Sequence, residues 1–156
     1  MIKLNRILVP TDFSDNSRLA LEYAAALGER FESELHLLHV LQDVLSSVAP
    51  EPGLVLASAG DYVRELRESA EGTMQKLVES KPLAGKKVIR RVREGQPFVE
   101  IIRYARDQSI DLIVMGTHGR TGLAHVLMGS VAERVVRKAG CPVLTVRPAG
   151  HQFVMP

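Results

Sequence analysis

Four glycines, Gly116, Gly119, Gly122 and Gly129, lie between the apolar run Ile110-Asp111-Leu112-Ile113-Val114 and a segment of helical periodicity. Three of them give the spacing G-x2-G-x9-G-S, which closes on Gly129-Ser130. In the first turn of a helix the backbone N–H groups have no intrahelical acceptor and sit at the positive end of the dipole. Gly129, Ser130 and Val131 are therefore candidate phosphate ligands, Gly129 leaving room for oxygens and Ser130 adding a hydroxyl. Gly116 and Gly119 would let the chain turn sharply and run close to a sugar or phosphate. A plainer reading stands beside this one: glycines after a strand serve the turn, and Gly-Ser before a helix is a common cap. The loop has neither the G-K-[ST] of a Walker A motif nor the G-x-G-x-x-G of a dinucleotide fingerprint.

Other residues of chemical interest are scattered. Asp12, in "PTDFSD", sits between a strand pattern and a helix pattern; it is either a cap, a job Ser14 or Asp15 could also do, or a ligand-facing acid. His36 and His39 are three apart in a strand pattern, hence on opposite faces and ill placed to share a metal. His118 falls inside the glycine loop, within reach of a phosphate; His125 lies further along it and His151 in the tail. No group has the spacing of a zinc site. Cys141 is the single cysteine, so no internal disulfide forms, and its Gly-Cys-Pro setting suggests a small buried thiol, not a reactive one.

The elements that must position these residues alternate. Ile7-Leu8-Val9, closed by Pro10, reads as a buried parallel strand. Leu19, Tyr23, Ala24 and Leu27 predict a helix over 15–31, after a stretch dense in N-cap residues. Leu35 to Val40 predict a second strand, and helical periodicity resumes at Asp61 through Val63, Leu66, Ala70, Met74 and Leu77, to be ended by Pro82 and Gly85. "KKVIRRVREG" alternates as a half-exposed edge strand would, and Pro97 fits the first turn of the next helix. "DLIVMG" predicts strand four. Val131, Ala132, Val135, Val136 and Ala139 mark the last helix, with Gly140 as its C-terminal cap, and "PVLTVRP" predicts strand five. Segment 41–57 is left as a long connection: a lid, a partner surface or a loosely packed crossover. Strict alternation of strand and helix implies a doubly wound parallel sheet with helices on both faces. Ligands of such sheets bind beyond the carboxyl ends of the strands at a topological switch point. The loops after strands one and four, "PTDFSD" and the glycine loop, are the two candidates.

Composition narrows the function classes. The chain has 156 residues, 46% hydrophobic and 24% charged, enough for one domain with a full core. A formal net charge of +2, with basic residues interleaved with acids as in "RELRESAEG", does not build a phosphate-tracking stripe, so no nucleic-acid partner is expected. No stretch approaches the roughly 18 apolar residues of a spanning helix, and the first residues do not read as a signal peptide, so no membrane association and a cytoplasmic location are expected.

The glycine pattern, together with "VPTDFSDNS" and "GCPVLTVRP", resembles the universal stress protein family over essentially the whole chain, and within it the ATP-binding branch. That resemblance implies one domain over 1–148, a tail over 149–156, and an adenine nucleotide alpha-hydrolase-like fold of five parallel strands in the order 3-2-1-4-5. It implies a nucleotide-responsive protein of stress tolerance or regulation. By position, Asp12 matches the acid that bonds the ribose hydroxyls, and Pro10 and Thr11 flank the nucleotide. Val40 matches the residue whose backbone reads the adenine edge, and Met115 and Gly116 the floor beneath adenine and ribose. Gly119, Gly129, Ser130 and Val131 match the phosphate cradle, with Arg120 an additional phosphate contact. ATP is the implied cofactor, with Mg2+ held mainly by its phosphates and water. The family also pairs the last strand with that of a second subunit, which would make a homodimer with Val143 and Val146 at the interface.

Turnover is a separate matter. The loop carries no lysine, and no general base or second acidic metal ligand is evident, so at most slow ATP hydrolysis is expected and no catalytic residue is assigned. Two other readings stay open: a protein-interaction module of the same fold with a purely structural glycine loop, and an enzyme cleaving the alpha-beta phosphate bond of a nucleotide. Against the latter, "PTDFSD" replaces the Ser-Gly-Gly motif of related ATP-activating folds.

Overall fold

A computed structural model describes residues 3–42, 55–118 and 128–148, with the backbone alone described over 55–59. Nine elements alternate: β1 (Arg6–Pro10), α1 (Asp15–Phe31), β2 (Glu34–Leu41), α2 (Val55–Glu79), β3 (Val88–Glu94), α3 (Pro97–Asp107), β4 (Leu112–Gly116), α4 (Ser130–Lys138) and β5 (Val143–Val146). The five strands form one parallel sheet in the order β3-β2-β1-β4-β5, as the family resemblance implies.

Strand alternation sorts the core into two layers. Ile7, Val9, Leu35, Leu37 and Val114 face α1 and α2, where Ala20, Leu21, Ala24 and Met74 meet them. Leu8, Leu38, Ile113 and Met115 face α3 and α4, against Ile101, Tyr104, Ala132 and Val135. β1 is buried on both faces, which its continuous Ile-Leu-Val run requires. Phe98 of α3, half-buried against this second layer, lies under two cations of α4, with the Arg134 guanidinium 5.0 Å and the Lys138 ammonium 5.8 Å from its ring centroid.

Several boundaries differ from expectation. α2 begins at Val55, six residues before Asp61, so the long connection is partly helix; its central part, 43–54, lies outside the described residues. The helix runs through both Gly60 and Gly72 without a break. Gly140 is not a left-handed cap. α4 is closed by Ala139 in extended geometry, whose N–H bonds the Val135 carbonyl, whereas the left-handed cap belongs to Glu32 after α1. Val136 and Tyr23 face solvent, since burial on α4 and α1 follows Ala132–Val135 and Ala20–Leu21–Ala24.

β5 carries a further correction. Val146, expected at an interface, is 5% exposed and packs in the α1–α2 layer, while Val143 is half-buried against the α3–α4 layer. The exposed apolar side chain of the strand is Leu144. The tail over 149–156, with His151, lies outside the described residues.

Candidate nucleotide site at the β1–β4 switch

Because β1 neighbours both β2 and β4, the winding reverses between β1 and β4, and the loops that follow these strands emerge together. The turn after β1 is built from side chains. Ser14 is the N-cap of α1, its hydroxyl accepting from the Ser17 N–H. Asp12 is therefore not the cap. Its Oδ1 accepts from the Ser14 N–H at 3.0 Å and from the Ser14 hydroxyl at 2.5 Å, an Asx turn that folds the chain two residues on. Burial opposes the charge on Asp12, yet the bonds from Ser14 and Ser17 outweigh it and hold the carboxyl below the usual range. Thr11 is buried, and its hydroxyl lies 3.1 Å from that of Ser17 and accepts from the Phe13 N–H. Phe13 occupies left-handed backbone at φ 66. Pro10, half-buried, ends β1 and has no N–H to give.

β2 outruns β1. The last bond between them runs from the Thr11 N–H to the Leu38 carbonyl, and the bonds from Leu35 to Lys87 and from Gly95 to Leu41 show that the odd-numbered residues of β2 face β3. Backbone polar groups of a strand alternate between its two sides, so the N–H and C=O of Val40 are directed to the β1 side, beyond the end of β1. They are thus aimed into the switch-point crevice, as a residue reading a base edge by its backbone must be.

On the β4 side the glycines divide their roles. A Cβ on Gly116 would stand 3.0 Å from the Asn16 carbonyl oxygen and 3.1 Å from the Asn16 Cβ, so this glycine admits the first turn of α1 against the end of β4. The side chain of Met115 is buried in the α3–α4 layer. Gly129 is the N-cap of α4, and its N–H donates to the Thr117 carbonyl at 2.7 Å, pinning the helix start to the residue after β4. Expected as a phosphate donor, the Gly129 N–H is thus already engaged. The first turn of α4, with Ser130 exposed and Val131 half-buried, has no side-chain cap. Thr117 is buried, and its hydroxyl lies 3.0 Å from Nδ1 of His118. Gly119, Arg120, Gly122 and His125 lie outside the described residues.

Sequence reading did not assign the residue that binds this site together from β2. His39 is buried, donates from Nδ1 to the Thr11 carbonyl at 2.8 Å, and stacks on Phe13 with centroids 4.3 Å apart. Its partner on the opposite face, His36, is held between the Tyr104 hydroxyl and Glu34. The two histidines do lie on opposite faces. Among the described residues no group of three or more His, Cys, Asp or Glu could hold a metal, and no helix is long and apolar enough to cross a membrane. Cys141 is half-buried, and burial with the nearby Asp111 pushes its thiol up, which disfavours the reactive thiolate.

Comparison with known proteins places this geometry. The sequence profile of the Universal stress protein family matches residues 3–147. Universal stress protein MJ0531 of Methanocaldococcus jannaschii is 37% identical over 91% of this chain and 81% of its own length. MJ0577 of the same organism is 33% identical over 94% of this chain and 96% of its own length. Its solved structure superposes with a TM-score of 0.82, over 96% of this chain and 99% of that one. Two more distant structures share the fold: a universal stress protein in complex with cAMP (24% identity, TM-score 0.59, 94% and 98% covered) and one from Archaeoglobus fulgidus in complex with dAMP (19%, 0.61, 94% and 100%). With a profile match over nearly its whole length and relatives above 30% identity that it covers almost end to end, the chain belongs to the universal stress protein family.

Proposed function

We propose that this protein binds an adenine nucleotide, ATP foremost, in the crevice between the ends of β1 and β4, and that it acts as a nucleotide-responsive regulatory protein of stress tolerance. The observation that carries the reading is the backbone of Val40, directed past the end of β1 into the same crevice that the first turn of α4 borders without a side-chain cap. A base edge at Val40, a ribose at Asp12, and phosphates at Ser130, Val131 and the loop with Gly119 and Arg120 follow the order of the elements. The cAMP and dAMP complexes of the fold are consistent with that ligand class. Mg2+ would be held by the phosphates and water, since the described residues bring no carboxylate cluster to the crevice. Asp12, ionised at neutral pH and tied to Ser14, is a weak proton acceptor, so binding comes with at most slow hydrolysis.

The test is to purify the protein without added nucleotide, denature it, identify any released small molecule by mass spectrometry, and titrate the emptied protein with Mg-ATP by calorimetry. Bound or bindable ATP supports the reading. No release together with no binding overturns it in favour of an interaction module whose glycines are structural. Gly116, required by Asn16, and Gly129, tied to Thr117, already lend that second reading some support.

The same proposal includes a homodimer through β5, in the cytoplasm. β3, at the other edge of the sheet, carries exposed Arg90 and Arg91, a charge guard against edge pairing. β5 has no charge, exposes Leu144, and turns the N–H of Thr145 outward, because the Val146 and Pro142 carbonyls bond β4. Light scattering at micromolar concentration should give twice the chain mass, and Thr145→Pro, which removes an outward donor, should give the monomer. A monomeric wild type would refute the dimer.

A further inference from the structure

Phe13 is a bulky residue in left-handed backbone at φ 66, a costly conformation that persists only where its surroundings over-determine it. Part of that determination is local: the Phe13 N–H bonds the Thr11 hydroxyl, and Asp12 bonds Ser14. Phe13 also packs against the core on the α1 side, and a further hold comes from another strand. His39 of β2 grips the residues on both sides of Asp12, its Nδ1–H donating to the Thr11 carbonyl at 2.8 Å and its ring stacked on Phe13 at 4.3 Å and 26°. Since that carbonyl can only accept, Nδ1 must carry the proton. His39 as a residue is 8% exposed, so the bond is made in a largely dry setting where an unmet carbonyl is expensive.

Resting on the nucleotide reading above, we infer that His39 is the positioning residue of the site: by clamping Thr11 and Phe13 it fixes the direction of the Asp12 carboxylate and so sets how strongly ribose hydroxyls are recognised. The role acts through Asp12 and requires no contact between His39 and the nucleotide. It divides into a donor, at Nδ1, and a stacking ring, and two substitutions separate them. His39→Phe keeps a ring on Phe13 and removes the donor. His39→Asn places an amide nitrogen where Nδ1 stands and removes the ring.

Affinities for ATP and for 2′,3′-dideoxy-ATP, measured by calorimetry on the emptied full-length protein, provide the test. Wild type should prefer ATP. His39→Phe should lose about tenfold or more in ATP affinity while dideoxy-ATP binding stays within about threefold, because only the ribose contact is misaimed. His39→Asn should recover most of the preference. In an Asp12→Ala background, His39→Phe should have no further effect on the preference. If His39→Phe does not fold, His39→Leu, which likewise has no donor, takes its place with the same expectation. Wild type that binds ATP with a preference left intact by these donor-less variants overturns the role of His39 alone. Wild type that binds neither nucleotide overturns the nucleotide reading and this inference with it.

Discussion

Gly116 and Gly72 show how differently two glycines of one chain are constrained. Beside Gly116 the backbone of Asn16 leaves no space for a methyl group, its carbonyl oxygen 3.0 Å from where a Cβ would stand. Backbone yields less readily than the end of a side chain, so Gly116→Ala should destabilise the fold by about 1–3 kcal/mol. Gly72 lies inside α2 with open space where a Cβ would stand, and Gly72→Ala should stabilise by about 0.5–1 kcal/mol by removing freedom from the unfolded chain. Denaturant midpoints at unchanged slope would check both. The same residues mark what the sequence allowed one to read. Spacing pointed to a close approach at Gly116 by a sugar or phosphate; the approach the structure shows is that of Asn16, in the first turn of α1 and far from Gly116 in sequence. Asp12 was ambiguous between cap and ligand; Ser14 takes the cap, which only coordinates reveal. His39 was invisible as a site residue, because a histidine in a strand pattern says nothing of a carbonyl and a ring that approach it from residues 11 and 13.

At the scale of elements, periodicity was legible wherever one face is buried: α1 falls on 15–31 and the strands on their apolar runs. It failed where the pattern thins. α2 starts earlier because its first turns continue an apolar segment that, without contacts, looks like a connection. The order of β1 and β4 came from family resemblance, since alternation alone fixes a parallel sheet and not its permutation. The start of α4 is the element most open to test. A side-chain cap is missing and Ser130 is exposed, so a carboxylate introduced there meets the N-terminal dipole directly. Ser130→Asp should raise stability by about 0.3–1 kcal/mol at low salt. If phosphates occupy that turn, the same charge should weaken ATP binding at least tenfold. Melting and calorimetry on one preparation would read the two effects, and a gain in stability with undiminished affinity would move the phosphates away from α4.

For the molecule as a whole, the interior of the α3 face carries a titratable group that must respond to acid. His36 is 1% exposed, with Nδ1 2.8 Å from the Tyr104 hydroxyl and Nε2 3.1 Å from Glu34 Oε1. Burial lowers its pKa and Arg6 of β1 and Arg91 of β3 push in the same direction, while Glu34 only partly offsets them. In the unfolded chain this histidine titrates at about 6.5. Below that pH the unfolded state binds a proton that the folded state resists, so stability is full above it and falls as pH drops toward the folded value, by at most about 1.4 kcal/mol per pH unit for one group. The carboxylates add a second descent at lower pH. Glu34, hydrogen-bonded to Lys87, and Asp12, bonded to Ser14 and Ser17 against the opposing effect of burial, both have lowered values. Their contribution is present above the unfolded carboxylate range and is lost as pH falls through the folded one. Chemical denaturation between pH 8 and 3 should therefore show two steps. His36→Gln, which keeps polar atoms for Tyr104 and Glu34 but cannot ionise, should flatten the upper step and leave the lower in place. An unchanged upper step would assign it to other groups and leave His36 as a neutral strut between β2 and α3.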